Sequence, residues 1–317
     1  MSDIFDCLII GGGPAGMSAA LYCSRAGLNC AIVDMSSLGG TPVNYCEIEN
    51  YLGAGRIESV RLCQRFEEHI DNFNVKKFPY EEISDVDISS SIKKIKTYDK
   101  ELLAKSIIIA TGAHPKKLNV KGEIENIGKG VSYCAVCDGA FYKEKTVAVV
   151  GGGNSALEEA LYLTRFAKTV YLIHRRNEYR ADKILQERVL KNKKIKPVLN
   201  STVEEILSDK KVTGVVIKNN NSLKTLELDG IFIYIGTSPN SELFCGKLKQ
   251  DELGFIITDM TMKTSADGVF AVGDVRNTPL RQVITAVSDG AIAGVEASRY
   301  IETISKEKVN ESTGVWR

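Results

Sequence analysis

The stretch Cys7–Asp34, CLIIGGGPAGMSAALYCSRAGLNCAIVD, decides the fold, because the chain writes it twice. Val147–His174, VAVVGGGNSALEEALYLTRFAKTVYLIH, lies over it without a gap: Leu21-Tyr22 falls on Leu161-Tyr162, and Arg25 on Arg165. Each copy reads as a short apolar strand, a glycine turn, an amphipathic helix and a second apolar strand. That is the opening of a doubly wound dinucleotide-binding unit, in which a pyrophosphate rests on backbone N–H groups at a helix N-terminus. In the first copy Gly11, Gly13 and Gly16 serve the tight turn, the close approach to the pyrophosphate and the close helix–strand packing. Gly151, Gly153 and Ala156 hold these places in the second.

The end of each second strand states a nucleotide preference. Asp34 closes AIVDM, where a carboxylate accepts hydrogen bonds from ribose hydroxyls and repels a 2′-phosphate, which suits FAD or NAD. The matching place in the second copy reads LIHRRNEYR, with His174, Arg175, Arg176 and then Arg180. A solvated basic face is the plain reading of such a cluster. Its register with Asp34 favours a 2′-phosphate site, since the planar guanidinium forks suit a phosphate dianion. The second nucleotide is therefore expected to be NADPH.

The apolar strand within LLAKSIIIATGAHP ends at Thr111-Gly112, and IFIYIGTSPN has the same character. Between them lies the whole second unit, so the second domain is inserted into the first. The expected division is an FAD-binding part over 1–112, an NADPH-binding domain over 113–243, and a second FAD-binding part over 244–317. In this last part GVFAVGDV is a strand ending in Gly273-Asp274, followed by a buried, Ala- and Gly-rich helix. Asp274 is read as a flavin contact, with a helix N-cap as the plain alternative. Segments 72–100 and 208–228 read as short antiparallel additions, and the C-terminal tail as frayed.

The 317-residue chain has 44% hydrophobic and 26% charged residues, an ordinary globular composition. With 41 basic and 40 acidic residues it carries no nucleic-acid footprint, and no apolar run is long enough for a membrane helix. The start, MSDIFDCLII, lacks the basic region of a signal peptide, so a cytoplasmic protein is expected.

Of the eight cysteines, Cys7, Cys23, Cys30, Cys63 and Cys245 stand alone in apolar stretches and read as small buried hydrophobes. Cys134 and Cys137, in VSYCAVCDG, form a spaced pair. Zinc would need two more ligands, and neither the other cysteines nor His69 and His114 offer them in a spaced pair. A structural disulfide across so short a loop stabilises little. A redox-active dithiol needs an electron source, which two nucleotide sites supply.

The motifs Gly-Gly-Gly-Pro-Ala-Gly at 11–16, Ala-Thr-Gly at 110–112, Cys-Ala-Val-Cys-Asp-Gly at 134–139, Gly-Gly-Gly-Asn-Ser-Ala at 151–156, His-Arg-Arg at 174–176 and Gly-Asp at 273–274 resemble, in order, the low-molecular-weight bacterial-type thioredoxin reductases. The resemblance spans nearly the whole chain. It implies an α/β fold of two Rossmann-like domains, with the NADPH domain inserted into a discontinuous FAD domain. It also implies electron flow from NADPH to FAD, to the Cys134–Cys137 disulfide, and on to thioredoxin, with rotation of the domain that carries the cysteines.

By the same resemblance Cys137 faces the flavin, Cys134 attacks the partner disulfide, and Asp138 is the general acid/base. Flavin contacts carried over are Gly13, Asp34, Gly40, Asn50, Gly273, Asp274, Arg281 and Gln282, and Thr41, Thr111 and Gly112 are further cofactor-binding candidates. Nicotinamide-nucleotide contacts are Gly153, Asn154, Ser155, Glu158, His174, Arg175, Arg176 and Arg180. No metal is expected, and the family implies a homodimer. Thr41 stands where the family usually has Gln, and Cys46 is an additional cysteine in the same loop, read as a bland residue with a third thiol of interest as the alternative. Rival readings keep the chemistry with a glutaredoxin-like protein or peroxiredoxin carrier as partner, make the chain a ferredoxin-linked flavin reductase, or make it a zinc-bound nucleotide sensor.

Overall fold

The computed structural model describes residues 4–44, 47–48, 50–220 and 222–313. The chain folds as two compact units, Met1–His114 with Ser238–Arg317, and Pro115–Thr237.

In the first unit the strands Lys76–Phe78, Cys30–Val33, Ile4–Ile10 and Glu101–Ile109 lie side by side in that order, all parallel. Glu101–Ile109 then divides its far edge between two neighbours. Its first half pairs antiparallel with Lys93–Thr97, itself hairpinned to Ile83–Asp87, and Ile107–Ile109 pair in parallel with Val269–Ala271. Successive strand residues face opposite sides of the sheet. Leu8, Ile10, Ile107 and Ile109 therefore enter one core, and Cys7, Ile9 and Ile108 the other.

The helix Pro14–Arg25 lies against the long helix Val283–Thr313 at backbone distance. A Cβ on Gly290 would come 2.1 Å from Ala15 O, and one on Gly294 would come 2.7 Å from Tyr22 Cβ. The glycines of the C-terminal helix thus press the first glycine turn's helix onto the sheet. That helix runs to Thr313, into the tail expected to fray.

The second unit is built on a parallel sheet in the order Val131–Ser132, Gly230–Ile233, Thr146–Val150, Thr169–Ile173, Ile195–Val198. An antiparallel sheet of Ser201–Ser208, Val212–Asn219 and Ser222–Glu227 is added to it. The two crossovers between the units pair with each other, Ala113–Pro115 with Thr237–Pro239.

The second crossover divides at 237/238, earlier than the 243/244 expected from the sequence. Phe244, fully buried, packs with Leu248 in the first unit's core, and the Ser241 hydroxyl donates to Gly254 O at 2.7 Å. Cys7, Cys23, Cys30 and Cys63 are buried as expected, but Cys245 is exposed. It follows the turn Glu242–Phe244, in which Phe244 takes the place in the core. Cys46 and Trp316 lie outside the described residues. Among those described, no helix is long and apolar enough to cross a membrane.

Candidate functional site

The first unit gathers its candidate residues at the carboxyl ends of its parallel strands, where open α/β sheets bind ligands. Gly11 has φ +106°, and a Cβ there would lie 2.3 Å from Ala110 O at the end of the neighbouring strand. A Cβ on Gly16 would lie 1.9 Å from Gly11 O. Only glycine lets the helix start this close to the turn. Gly13 faces Gly40: a Cβ on Gly40, whose φ is +65°, would come 2.8 Å from Gly13 Cα, so no side chain fits at Gly40.

Asp34 performs a task the sequence did not announce. Its Oδ2 accepts the Gly12 N–H at 2.6 Å, and its Oδ1 accepts from Ser36 N and Ser36 Oγ, so it closes the turn itself. Thr111 Oγ1 donates to Asn240 O at 2.6 Å. Asn50 Nδ2 donates to Gln282 Oε1 at 2.9 Å, joining two expected contacts that are far apart in the chain. Thr41 is exposed, in the short turn Thr41–Asn44.

Gly273 donates its N–H to Asp289 Oδ2 at 3.1 Å, and Arg276 Nη1 reaches the same oxygen at 3.1 Å. Burial pushes Asp274 up to about 6; the negative Asp289 adds to this, and Arg281 opposes it. Arg281 lies over the Phe255 ring at 4.3 Å, with its buried Nε lacking a hydrogen-bond partner among the described residues. A turn and loop closed to side chains at Gly11 and Gly40, a buried donor without a partner among the described residues and a carboxyl ready to share a proton fit the pyrophosphate and polyol chain of FAD.

The second glycine turn repeats the first. Gly151 has φ +154°, and a Cβ there would meet Tyr234 O at 2.4 Å. A Cβ on Gly152 would fall 2.3 Å from the His174 ring, which is packed flat against the turn. His174 is buried and its pKa is lowered, first by burial and then by Arg180, Arg176 and Arg175; its Nε2 has no partner among the described residues. Arg180 N–H donates to Gly152 O at 2.7 Å.

Arg175, Arg176 and Arg180 are exposed, and none has an ion pair among the described residues. A glycine turn flanked by three uncommitted guanidiniums and an unpartnered imidazole nitrogen fits a 2′-phosphorylated nucleotide such as NADPH. Gly153, Ser155 and Glu158 line the start of the helix Asn154–Leu163, Ser155 and Glu158 being exposed, while Asn154 exchanges two hydrogen bonds with Asp182. Sequence reasoning passed over Glu159 on this helix. Burial, with Glu158 beside it, raises it to about 7, and its Oε2 lacks a partner among the described residues.

Cys134 and Cys137 are joined in a disulfide, with their Cα atoms 5.3 Å apart. Cys134 is extended and Ala135–Asp138 form a single helical turn, so the chain reverses and brings the two sulfurs together. The Cys137 N–H donates to Cys134 Sγ at 3.2 Å. Asp138 is half-buried, and burial raises its pKa against the lowering effect of the 2.6 Å hydrogen bond from Ser132 Oγ. A carboxyl so placed exchanges protons nearer neutrality than a solvated aspartate does. Gly139 lets the turn settle on the next helix, where a Cβ would press Leu163 at 3.1 Å.

The family model for pyridine nucleotide-disulphide oxidoreductases matches residues 5–290. A thioredoxin reductase of Peptoclostridium acidaminophilum is 45% identical, with 97% of this chain and 100% of that protein aligned. One from Listeria monocytogenes is 44% identical over 96% of each. The crystal structure of thioredoxin reductase from Streptococcus pyogenes superposes with a TM-score of 0.90 at 43% identity, covering 96% of this chain and 100% of that one. The chain belongs to the pyridine nucleotide-disulphide oxidoreductase family, in its thioredoxin reductase branch, whose cofactors are FAD and NADPH.

Proposed function

We propose that the protein carries electrons from NADPH by way of FAD to the Cys134–Cys137 disulfide and on to the disulfide of a thioredoxin, working as a cytoplasmic homodimer. The observation that carries this reading is the Cys134–Cys137 disulfide beside the half-buried Asp138, in the unit that also holds the second glycine turn and the arginine cluster. FAD, when bound, supplies two-electron transfer between a nicotinamide and a disulfide.

The chain's own residues do the rest. In the first unit, backbone N–H groups of the Gly11–Gly16 turn, with Asn50, Thr111, Gly112, Gly273, Asp274, Arg281 and Gln282, bind and orient the flavin nucleotide. In the second, the arginines and His174 select the 2′-phosphate. Once the pair is a dithiol, the Cys134 thiolate attacks one sulfur of the partner's disulfide, forming a mixed disulfide and releasing one partner thiolate. The Cys137 thiolate then attacks Cys134 Sγ, closing the internal disulfide and releasing the second partner thiolate. Asp138 delivers a proton to a departing thiolate and recovers it from solvent, with Ser132 holding its Oδ2.

An anaerobic NADPH titration tests the reading. About two equivalents should be taken up per subunit, falling to about one in Cys137→Ser, with NADH much the poorer donor. Equal uptake in both proteins would take the cysteines out of the electron path. Thioredoxin and a glutaredoxin offered at equal concentration then separate the two partner readings by kcat/KM.

A further inference from the structure

Two phenols grip the redox turn from opposite sides. Tyr133, just before Cys134, donates its hydroxyl to Glu123 Oε1 at 2.7 Å. Glu123 is fully buried, and its carboxylate also accepts the backbone N–H groups of Leu118 at 2.9 Å and Asn119 at 2.7 Å. Ala135, just after Cys134, donates its N–H to the Tyr234 hydroxyl at 2.6 Å. Tyr234 is itself fixed to the second glycine turn: its N–H donates to Val150 O at 2.8 Å, and its carbonyl is the atom a Cβ on Gly151 would strike. The backbone on each side of Cys134 is therefore tied to a separate hydrogen-bonded part of the same unit.

We propose that Glu123 and Tyr234 are positioning residues that hold the chain on either side of Cys134 and so set how readily the pair closes to its disulfide. The proposal rests on the redox reading above. Closure depends on the effective concentration of one sulfur at the other, and that concentration rises when the intervening turn is already ordered. The disulfide form shows the turn in its ordered state. Releasing either tie lets the dithiol explore arrangements that cannot close, which favours the open form. Glu123→Gln turns one of the oxygens that accept the Leu118 and Asn119 N–H groups into a donor facing a donor, and Tyr234→Phe removes the oxygen that accepts the Ala135 N–H.

Closing the pair converts two thiols to one disulfide and gives up two electrons and two protons. In a dithiothreitol buffer the oxidised reagent takes both and becomes its dithiol, so the equilibrium balances without another reactant. The test uses the flavin-loaded, full-length protein, equilibrated without oxygen at graded ratios of oxidised to reduced dithiothreitol. It is quenched by alkylation, and the Cys134–Cys137 peptide is weighed.

Glu123→Gln and Tyr234→Phe should each lower the closure constant roughly tenfold, a shift of about 30 mV toward positive potential for a two-electron couple. Tyr98→Phe, at a residue 77% exposed, should leave it unchanged. A closure constant within about twofold of the parent in Tyr234→Phe, with the pair still exchanging, overturns the proposal. That variant loses a single oxygen, so it decides the matter even where Glu123→Gln fails to fold. A parent pair that does not exchange at any ratio would instead remove the redox reading on which the proposal stands.

Discussion

Ser132 Oγ donates to Asp138 Oδ2 at 2.6 Å and accepts the Cys134 N–H at 3.1 Å, so one hydroxyl joins the half-buried carboxyl to the first cysteine. The bond lowers the Asp138 pKa while burial raises it, and burial has the larger effect. Asp138→Asn should slow disulfide-reducing turnover on the order of a hundredfold, while NADPH still opens the internal disulfide. In the parent, kcat should fall as pH rises through the elevated pKa. Ser132→Ala should move that limb to higher pH, and Asp138→Asn should abolish it. A pH profile of kcat for the three proteins checks all of this.

Asp274 predicts how stability responds to pH. Its pKa is raised to about 6 in the folded chain, so the folded state holds this proton more tightly than the unfolded one. The resulting stabilisation is complete below the ordinary aspartate range and is lost as pH rises through about 6. Asp274→Asn in flavin-stripped protein should therefore gain on the parent above that pH, by up to about 3 kcal/mol, and match it near pH 4. Urea unfolding of both proteins at pH 4 and 7.5 measures the difference.

Arg175 and Arg176 predict coenzyme choice. Both are exposed and unpaired by acids among the described residues, so truncation should not unsettle the fold. Each of Arg175→Ala and Arg176→Ala should lower kcat/KM for NADPH roughly tenfold or more, the scale of one charge-assisted hydrogen bond, and leave NADH unchanged. Parallel steady-state assays with the two coenzymes are sufficient.

The Asp289–Arg276 ion pair, at 3.1 Å with both side chains about nine-tenths buried, predicts an asymmetric loss of stability. Asp289→Ala should cost about 3–5 kcal/mol, because it leaves the guanidinium buried without its counter-charge. Adding Arg276→Ala should recover part of that cost. A denaturant-based double-mutant cycle shows whether it does.

The glycine turns were legible because sterics act locally. Gly11 and Gly16 crowd atoms within their own strand–turn–helix segment or on the adjoining strand, and no larger residue fits. Cys7–Ile10 was legible as a strand because it is a short continuous apolar run; that its residues alternate between two cores is seen only in the folded sheet. What escaped depends on partners far away in the chain. Tyr234 meets Ala135 across 99 residues, and neither carries a motif. The exposure of Cys245 follows from Phe244 having claimed the core, a choice that composition does not announce. Asp34 was identified for its place in the register, but its bond to the Gly12 N–H becomes visible only when the turn is folded.

The pairing of Ala113–Pro115 with Thr237–Pro239 makes the inserted unit a cassette. Its way in and its way out are adjacent strands, further tied by the Lys116 N–H to Gly236 O at 2.9 Å and the Asn240 N–H to Gly112 O at 3.0 Å. Deleting everything between these strands would leave ends that a short loop could join, without stretching the sheet on which the first unit is built. The same adjacency would let a foreign domain with neighbouring termini be spliced in. Evolution and engineering can therefore exchange one half of this molecule and leave the other half's chain path intact.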